Sequence, residues 1–273
     1  MSVPTITLND GNRIPQFGLG VFLMPPEQTK EHVAFALANG YRHIDTAAIY
    51  GNEREVGEAI AESGIPREEI FVTTKLWNNR QTDAPAALAE SLEKLGLDQV
   101  DLYLIHWPTP QFDTYVDAWH SMEQLRTQGL TRSIGVSNFH QQHLKRLMDA
   151  SDIVPAVNQI EVHPSLAQFE LVNVNTRLGI VTEAWSPLGR RADLSNTVIV
   201  GVADRLGRTP AQVILRWHIQ RGIIVFPKAS SPERLRENAD IFGFELSAED
   251  MATIDGVDSG NRVGSNPETM NRR

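Results

Sequence analysis

Residues 40–53 read GYRHIDTAAIYGNE, a stretch that combines an apolar extended run with two polar groups in unusual places. Asp45 ends the run, and Tyr50 follows in a polar loop. Burying a carboxylate costs on the order of several kcal/mol unless a cation or hydrogen bonds replace the lost hydration. The pattern therefore predicts that Asp45 has a charged partner elsewhere in the chain.

The composition is that of an ordinary globular protein. A chain of 273 residues can form one α/β barrel or two smaller domains. The formal charge of -9 and the pI near 5.4 argue against a nucleic-acid surface, because phosphate binding needs basic residues. Cysteine is absent, which excludes disulfides and is typical of a reducing compartment. No secretory signal or membrane-spanning apolar run is evident, so we expect a cytoplasmic protein without a membrane partner.

A recurring unit of apolar strand, polar loop and amphipathic helix runs from Gly18 onward. The predicted strands cover residues 17–20, 43–47, 71–75, 102–107, 133–138, 157–161, 181–186 and 223–228. The predicted helices begin near Thr29, Glu53, Asp83, Thr114, Gln141, Gln168, Asn196 and Pro232. Nearly continuous apolar strands are typical of a parallel sheet covered by helices. The alternation favours a closed (β/α)8 TIM barrel, with an open doubly wound sheet as the alternative.

An N-terminal β-hairpin is predicted ahead of the first repeating unit. Residues 5–8 and 14–17 flank NDGN at positions 9–12, in which Asp-Gly is a strong turn signal. We expect this hairpin to cap a single barrel domain that comprises residues 1–273. The GLG at positions 18–20 begins like a dinucleotide fingerprint, but no third glycine and no helix follow at the required spacing, which excludes a Rossmann site.

Polar side chains stand at the C-terminal ends of three successive predicted strands, namely Asp45, Lys75 and His106. In a (β/α)8 barrel these ends meet at one rim, where catalytic groups are found. Lys75 ends an apolar run in which an unpaired ammonium would be costly, so Asp45 and Lys75 are predicted to pair. Tyr50, in the loop after Asp45, would lie at the same rim. A purely structural ion pair beside a hydrogen-bonded tyrosine and histidine is the alternative interpretation.

The four residues suit proton donation to a carbonyl oxygen. Lowering the pKa of a tyrosine from about 10 to about 7 requires about 4 kcal/mol. Burial raises this pKa, whereas a cation about 4 Å away at an effective dielectric of about 20 contributes roughly 4 kcal/mol in the opposite direction. We therefore expect Lys75 to lower the pKa of Tyr50, Asp45 to hold Lys75, and His106 to orient the carbonyl or share the proton. No acyl nucleophile is evident, so the missing reactant is a hydride donor.

Two other functions remain open from the residues alone. A metal-dependent hydrolase on the same fold would use His43 and Asp45, which share a strand face, with His106 and His163 near other strand ends. Lys75 would place a cation beside that metal and no His-x-His pair is present, so we expect no metal. A nucleotide-binding barrel without turnover is the second alternative.

Six motifs resemble the aldo-keto reductases over nearly the whole chain, most closely bacterial members similar to 2,5-diketo-D-gluconate reductase. They are GYRHIDTAAIYGNE (40–53), TTKLW (73–77), LYLIHWP (102–108), IGVSNF (134–139), NQIEVHP (158–164) and FPKASSPERLREN (226–238). The resemblance implies a monomeric (β/α)8 barrel that uses NADPH to reduce aldehydes, α-dicarbonyls or keto-sugars. It also implies a catalytic tetrad of Asp45, Tyr50, Lys75 and His106, in which Tyr50 is the acid.

The resemblance further implies contacts with the nicotinamide end of the cofactor. Ser137 and Asn138 match the pair that holds the carboxamide, and Gln159 joins them. Trp185 matches the aromatic residue that stacks on the nicotinamide. Trp185 lies in the motif EAWSPLG (183–189), and two more residues of this motif, Ser186 and Leu188, are expected cofactor contacts.

At the adenosine end the matching residues are Lys228, Arg234, Glu237 and Asn238. Lys228 and Arg234 would hold the 2′-phosphate, because both can pair with its charge. Ala229 stands where many relatives have a serine that bonds this phosphate, and Ser230 and Ser231 are the neighbouring hydroxyls. We therefore expect NADPH to be preferred and NADH to be used less well.

Substrate contacts are predicted at an apolar mouth beside Tyr50. The residues that follow strand ends there are Phe22, Ala47, Trp77, Trp107 and Phe139. The tail, residues 261–273, is short and polar, which indicates an open pocket. The expected partner is a small-molecule carbonyl compound.

Overall fold

The computed structural model describes residues 3–229 and 231–273, and a closed parallel sheet forms its centre. The strands are β1 (Thr5–Thr7), β2 (Arg13–Pro15), β3 (Leu19–Gly20), β4 (His43–Asp45), β5 (Phe71–Leu76), β6 (Val100–Ile105), β7 (Thr131–Ser137), β8 (Val157–Glu161), β9 (Val181–Trp185) and β10 (Ile224–Val225). From β3 to β10, each strand pairs in parallel with the next one in sequence. Phe17, just before β3, bridges Val225 of β10, so the sheet closes. The predicted (β/α)8 barrel is confirmed.

Helices surround the barrel and follow its strands. They are α1 (Pro26–Ala38), α2 (Glu53–Glu62), α3 (Ala84–Leu95), α4 (Tyr115–Thr127), α5 (Gln141–Ala150), α6 (Phe169–Arg177), α7 (Thr197–Leu206), α8 (Pro210–Gln220), α9 (Pro232–Ala239) and α10 (Ala248–Asp255). Eight begin at or within a few residues of the predicted starts. The prediction missed α8 and α10. A capping box between Thr209 and Gln212 starts α8 and is a local sequence signal for this helix. No helix in the described ranges combines the length and apolarity that a membrane span needs.

The predicted hairpin forms from β1 and β2 and closes the N-terminal end of the barrel. Leu8 and Ile14 join the inward-facing apolar side chains of the barrel strands in one buried cluster. Fully burying such a side chain contributes about 1.5–3 kcal/mol. The Asn9 side-chain amide also donates to the Pro155 carbonyl oxygen at 2.9 Å, which ties the hairpin to the loop before β8. The hairpin therefore covers the end of the barrel opposite the C-terminal ends of the strands.

The two glycines of the GLG sequence allow close backbone approach within the barrel wall. A Cβ atom on Gly18 would lie 2.6 Å from the His43 carbonyl oxygen, and one on Gly20 would lie 2.6 Å from the Phe226 carbonyl oxygen. Both distances are too short for a side chain. The glycines therefore serve the packing of β3 between β4 and the segment after β10.

Candidate active site

The four predicted catalytic side chains come together at the C-terminal rim of the barrel. Asp45 ends β4, Lys75 is the next-to-last residue of β5, and His106 directly follows β6. Tyr50 ends a single turn of 3₁₀ helix, Ala48–Tyr50, that follows β4. The Tyr50 ring lies 5.8 Å from the His106 ring, measured between centroids, in an edge-on arrangement. Neighbouring strands therefore bring residues that are far apart in sequence into one site.

Lys75 is fully buried, and three oxygen atoms surround its ammonium group. The Nζ atom donates to Asp45 Oδ1 at 2.7 Å and to the Thr46 carbonyl oxygen at 2.8 Å. It also lies 3.5 Å from the Tyr50 hydroxyl oxygen. An ammonium has three protons, so each has an acceptor. Although burial opposes the charged form, Asp45 and Tyr50 hold the pKa of Lys75 above its usual value.

Lys75 does lower the pKa of Tyr50, but the expectation that this pKa falls below its ordinary value is wrong. Burial raises the pKa of the Tyr50 phenol, and the nearby Lys75 only partly opposes this effect. The negative charge of Asp45 adds to the rise because it disfavours a second negative charge on the nearby phenol oxygen. Tyr50 is therefore fully protonated at neutral pH, as a proton donor must be.

His106 is a neutral imidazole. Burial and the positive charge of Lys75 hold the pKa of His106 well below its usual value. Its Nδ1 atom has no hydrogen-bond partner within the described part of the chain. The Trp77 ring packs edge-on against it, with centroids 5.1 Å apart. A neutral imidazole can donate one N–H hydrogen bond, which suits orienting a carbonyl oxygen better than sharing its proton.

A buried acid that the sequence reasoning missed lies beneath this rim. The Gln159 Nε2 atom donates to Asp45 Oδ2 at 2.9 Å and to Glu183 Oε2 at 2.8 Å. Glu183 faces the barrel interior from β9 and is fully buried. An acid at an inward position of a strand was the available sequence signal. The four residues Asp45, Lys75, Gln159 and Glu183 are called the rim cluster below.

The residues expected at the nicotinamide end also lie together. The Trp185 indole N–H donates to Asn138 Oδ1 at 2.8 Å, and Asn138 Nδ2 donates to the His106 carbonyl oxygen at 2.9 Å. Ser137 Oγ donates to the Gln159 carbonyl oxygen at 2.9 Å. Asn138 has a φ of 64°, a left-handed conformation that asparagine tolerates better than most residues. Hydrogen bonds thus connect Trp185 to the C-terminal ends of β6 and β7.

A second buried cluster anchors the C-terminal tail beside Trp185. His163 Nε2 lies 3.2 Å from Glu161 Oε1, and His163 Nδ1 lies 2.9 Å from Asp193 Oδ2. Arg262 Nη1 lies 3.3 Å from Glu161 Oε2. The backbone N–H of Gly264 donates to Glu161 Oε2 at 3.1 Å, and a Cβ atom on Gly264 would lie 2.2 Å from the Trp185 ring. We call Glu161, His163, Asp193 and Arg262 the tail cluster.

The last residues of the tail pack on loops at the rim. Asn78 Nδ2 donates to the Arg272 carbonyl oxygen at 2.6 Å, and the Gln111 N–H donates to Asn271 Oδ1 at 2.9 Å. The Arg273 guanidinium lies 3.5 Å from the centroid of the Phe112 ring. The tail therefore borders the loops that follow β5 and β6.

The predicted substrate residues separate into two groups. Phe22 is 44% exposed, and its ring lies 5.0 Å from that of Tyr50. Trp77 is partly exposed and touches His106, whereas Trp107 is 9% exposed. Ala47 and Phe139 expose no surface, so the expectation that they line the mouth is corrected. Phe139 instead packs beneath the rim, because its side chain turns toward α4 and α5.

The residues expected at the adenosine end lie just before α9 and along this helix. Ser231 caps this helix, and Arg234 is exposed on its first turns. Lys228 Nζ donates to the Leu23 carbonyl oxygen at 2.5 Å. Glu237 Oε1 accepts the Thr209 hydroxyl at 2.7 Å. Asn238, the last of this group, is buried.

The loop after β9 contains the two remaining expected cofactor residues. Ser186 has a φ of 50° and is partly buried, as is Leu188. Arg190 and Arg191, which the sequence reasoning did not single out, have φ values of 49° and 78° in the same loop and are exposed. Ser230, considered as a replacement for the serine absent at position 229, lies outside the described residues.

No group of three or more histidine, aspartate or glutamate side chains within residues 3–229 and 231–273 is arranged to hold a metal ion. His43 lies inside the barrel, where its Nε2 is 3.1 Å from the Thr73 hydroxyl oxygen. His163 belongs to the tail cluster. His43 and His163, two of the three histidines considered for a metal site, are thus hydrogen-bonded to other protein groups.

The fold and the rim together define a (β/α)8 barrel that brings a tyrosine, a buried lysine and a neutral histidine together at the C-terminal ends of its strands. The sequence profile of the aldo/keto reductase family matches residues 16–259. An aldo-keto reductase of Mycolicibacterium smegmatis (strain ATCC 700084 / mc(2)155) is 56% identical over 270 residues, which cover 98% of each chain. The chain belongs to the aldo-keto reductase family, whose members are NAD(P)H-dependent oxidoreductases.

Two further relatives are informative about activity and cofactor. Methylglyoxal reductase DkgA of Yersinia pestis is 49% identical over 269 residues, which cover 98% of this chain and 97% of that protein. A crystal structure of a Gox0644 mutant in complex with NADPH is 45% identical, with a TM-score of 0.95 and coverage of 99% of each chain.

Proposed function

We propose that this protein reduces aldehydes, α-dicarbonyls or keto-sugars to alcohols with NADPH, and that Tyr50 donates the proton to the carbonyl oxygen. The observation that carries this proposal is the position of Lys75, whose ammonium contacts both Asp45 and the Tyr50 hydroxyl. Similarity to a methylglyoxal reductase supports α-dicarbonyls within this substrate class. The α-dicarbonyl methylglyoxal is therefore the first substrate to test.

Tyr50 holds its proton until the carbonyl oxygen gains negative charge. Burial keeps the phenol protonated, and Lys75 then stabilises the phenolate that remains after the proton leaves. At the observed 3.5 Å and an effective dielectric of about 20, this attraction is about 5 kcal/mol. Asp45 reduces that attraction but keeps Lys75 charged and in place. Lys75 therefore acts mainly on the product state of the proton transfer.

His106 and the aromatic side chains position the carbonyl group. Neutral His106 can donate a single N–H hydrogen bond to the same oxygen that Tyr50 protonates. Phe22 and Trp77 lie on either side of these two rings and present apolar surface to the body of the substrate. Two donors aimed at one oxygen favour the state in which it carries charge.

The residues present fit a phosphorylated nicotinamide dinucleotide. The capped start of α9 lies between Lys228 and Arg234, and a helix N-terminus with flanking cations suits a phosphate group. Trp185 offers an aromatic face whose position is set by Asn138. NADPH, when bound, supplies the hydride for carbonyl reduction. Ser137, Asn138 and Gln159 would hold its carboxamide.

The test is Tyr50→Phe, followed through the loss of NADPH absorbance with methylglyoxal and with aryl aldehydes. This change removes the proton donor and keeps the ring, so kcat should fall by about 10²- to 10⁴-fold. Tyr103→Phe is the matched control, because the Tyr103 hydroxyl is buried and has no partner among the described residues. Retention of most of the activity in Tyr50→Phe would show that another group is the acid.

A further inference from the structure

Glu183 is a buried carboxyl group that the proposed mechanism does not use. Its neighbours in register are Gln159 on β8 and Ile224 on β10, and it exposes no surface. Oε2 accepts one hydrogen bond from Gln159 Nε2, at 2.8 Å. Oε1 is buried and has no hydrogen-bond partner in the described part of the chain. A carboxylate needs several donors when it is removed from water, and Glu183 has one.

The amide of Gln159 links Glu183 to the catalytic ion pair. Nε2 carries two protons, of which one goes to Glu183 and the other to Asp45 Oδ2. The other oxygen of Asp45 accepts from Lys75 at 2.7 Å. A continuous chain of hydrogen bonds thus runs from Glu183 through Gln159 and Asp45 to Lys75.

The charges in the rim cluster balance only when one acid is neutral. Lys75 contributes one positive charge, while Asp45 and Glu183 are both acids within the same buried cluster. His43 faces the interior from β4, and burial lowers its pKa to about 3, so it adds no charge. His106, after β6, is neutral for the same reason. With both acids ionised, the barrel interior would carry one uncompensated negative charge.

The protonation of Glu183 agrees with this count. Burial, followed by the negative charge of Asp45, raises the pKa of Glu183 to about 8, although Gln159 and Lys75 oppose the rise. Burial also raises the pKa of Asp45, but Lys75 and Gln159 oppose that rise through two direct hydrogen bonds, so Asp45 is the acid of the two that ionises. At neutral pH the rim cluster therefore holds one carboxylate, one ammonium and one carboxylic acid.

We propose that Glu183 is a positioning residue that works in its protonated form, and that its ionisation sets an alkaline limit on carbonyl reduction through Gln159, Asp45 and Lys75. An ionised Glu183 would place a second negative charge near Lys75, whose field stabilises the Tyr50 phenolate. Tyr50 would then be a weaker acid and turnover would slow. The catalytic part of this inference rests on the proposed function, whereas the protonation of Glu183 does not.

The first experiment compares the pH dependence of kcat for the wild type and Glu183→Gln. Glutamine has the shape of the neutral acid and cannot ionise, so Glu183→Gln should keep kcat within about threefold at pH 6.5. The wild type should lose activity above pH about 8, and Glu183→Gln should move this inflection upward by at least one pH unit. The pKa of Tyr50 lies above the ordinary value of 10.0, so titration of the phenol does not account for a loss of kcat near pH 8.

The matched control is Glu53→Gln. Glu53 is also a buried acid, and its Oε1 accepts the Thr74 hydroxyl on the outer side of β5 rather than inside the barrel. Glu53→Gln should keep the alkaline inflection of the wild type. A shift equal to that of Glu183→Gln would contradict the proposal, since it would show that any buried acid has the effect.

Two measurements without substrate or cofactor test the protonation directly. An acid whose pKa is higher in the folded state binds a proton on folding between its ordinary value of 4.5 and its folded value of about 8. Within that window Glu183 therefore makes the unfolding equilibrium constant rise about tenfold per pH unit, and Glu183→Gln should lack this contribution. Infrared difference spectra should also show a protonated carboxylic acid at pH 7 that is absent from Glu183→Gln.

These results separate the inference from the proposed function. An unchanged alkaline inflection in Glu183→Gln, or an ionised Glu183 at pH 7, would overturn the inference. If no carbonyl compound is reduced, the proposed function fails, and the infrared and unfolding measurements still decide whether Glu183 holds a proton. If Glu183→Gln does not fold, titration of the carboxylic acid band in the wild type gives the answer.

Discussion

The rim cluster and the tail cluster each bury two carboxyl groups at the C-terminal end of the barrel, yet one acid of the rim cluster keeps its proton whereas both acids of the tail cluster are ionised. In the rim cluster, the Gln159 amide donates to both acids and the Lys75 ammonium donates to Asp45. In the tail cluster, the His163 imidazole contacts both acids, and the Arg262 guanidinium and backbone N–H groups also contact Glu161. Little surface of any of the four acids is exposed to solvent. The two clusters differ in the number of hydrogen-bond donors: Glu183 has one, whereas Glu161 has several.

The pKa shifts follow from that difference. Burial tends to raise the pKa of Glu161, but His163, the Val263 N–H and Arg262 outweigh it and hold this pKa below its usual value. Asp193 is likewise held low, chiefly by His163. The two carboxylates in turn keep the pKa of His163 above its usual value despite burial. A buried carboxylate that accepts several hydrogen bonds stays ionised and stabilises the fold. A buried acid that accepts few hydrogen bonds, like Glu183, keeps its proton.

The largest expected effect is that of Lys75→Met in the rim cluster. This change removes the cation that stabilises the Tyr50 phenolate and leaves Asp45 buried without its partner. We expect kcat to fall about 10³-fold and the free energy of unfolding to fall by about 3 kcal/mol. NADPH affinity, measured by fluorescence quenching, should change by less than about fivefold. A loss of affinity as large as the loss of kcat would place Lys75 in cofactor binding instead.

A change in the tail cluster should affect stability rather than chemistry. Glu161→Gln weakens the contacts to His163 and Arg262, and hydrogen bonds to charged groups are worth about 1.5–3 kcal/mol. We expect urea denaturation at pH 7 to show a loss of about 2 kcal/mol, with kcat within threefold. Glu62→Gln, at a pair with Lys30 in which both side chains are more than a third exposed, is the control and should cost less than about 1 kcal/mol. Equal losses in the two variants would contradict the role given to the tail cluster.

The smallest effect is expected for Trp185→Phe, at the boundary between the two clusters. Trp185 donates to Asn138 on the rim side and touches Gly264 on the tail side. Phenylalanine keeps an aromatic face but loses the hydrogen bond, so NADPH affinity should fall about fivefold, or about 1 kcal/mol. Trp119→Phe, at a buried indole whose N–H has no described partner, should leave affinity unchanged. A null result for Trp185→Phe would show that the tail alone holds this ring.

Most of the barrel was predictable because its signal is local. Apolar strand runs and the residues that cap helices lie within short windows, and the eight predicted strands overlap those of the structure. The missed helix α8 had a local signal in Thr209 and Gln212. Phe139 was assigned to the mouth wrongly, because its position after a strand end did not reveal that its side chain turns toward α4 and α5.

The sequence by itself determined the barrel and the pairing of Asp45 with Lys75, because strand ends in a parallel barrel meet at one rim and a buried lysine needs an acid. Only the tertiary structure decided how these charges balance. Glu183 and Gln159 come from different strands than Asp45, so no spacing along the chain reveals that one amide serves both acids. The protonation of Tyr50 is also set by the tertiary structure, because burial outweighs the electrostatic effect of Lys75 on the Tyr50 pKa. Protonation depends on the number of donors and the amount of solvent around a group, and packing alone sets both.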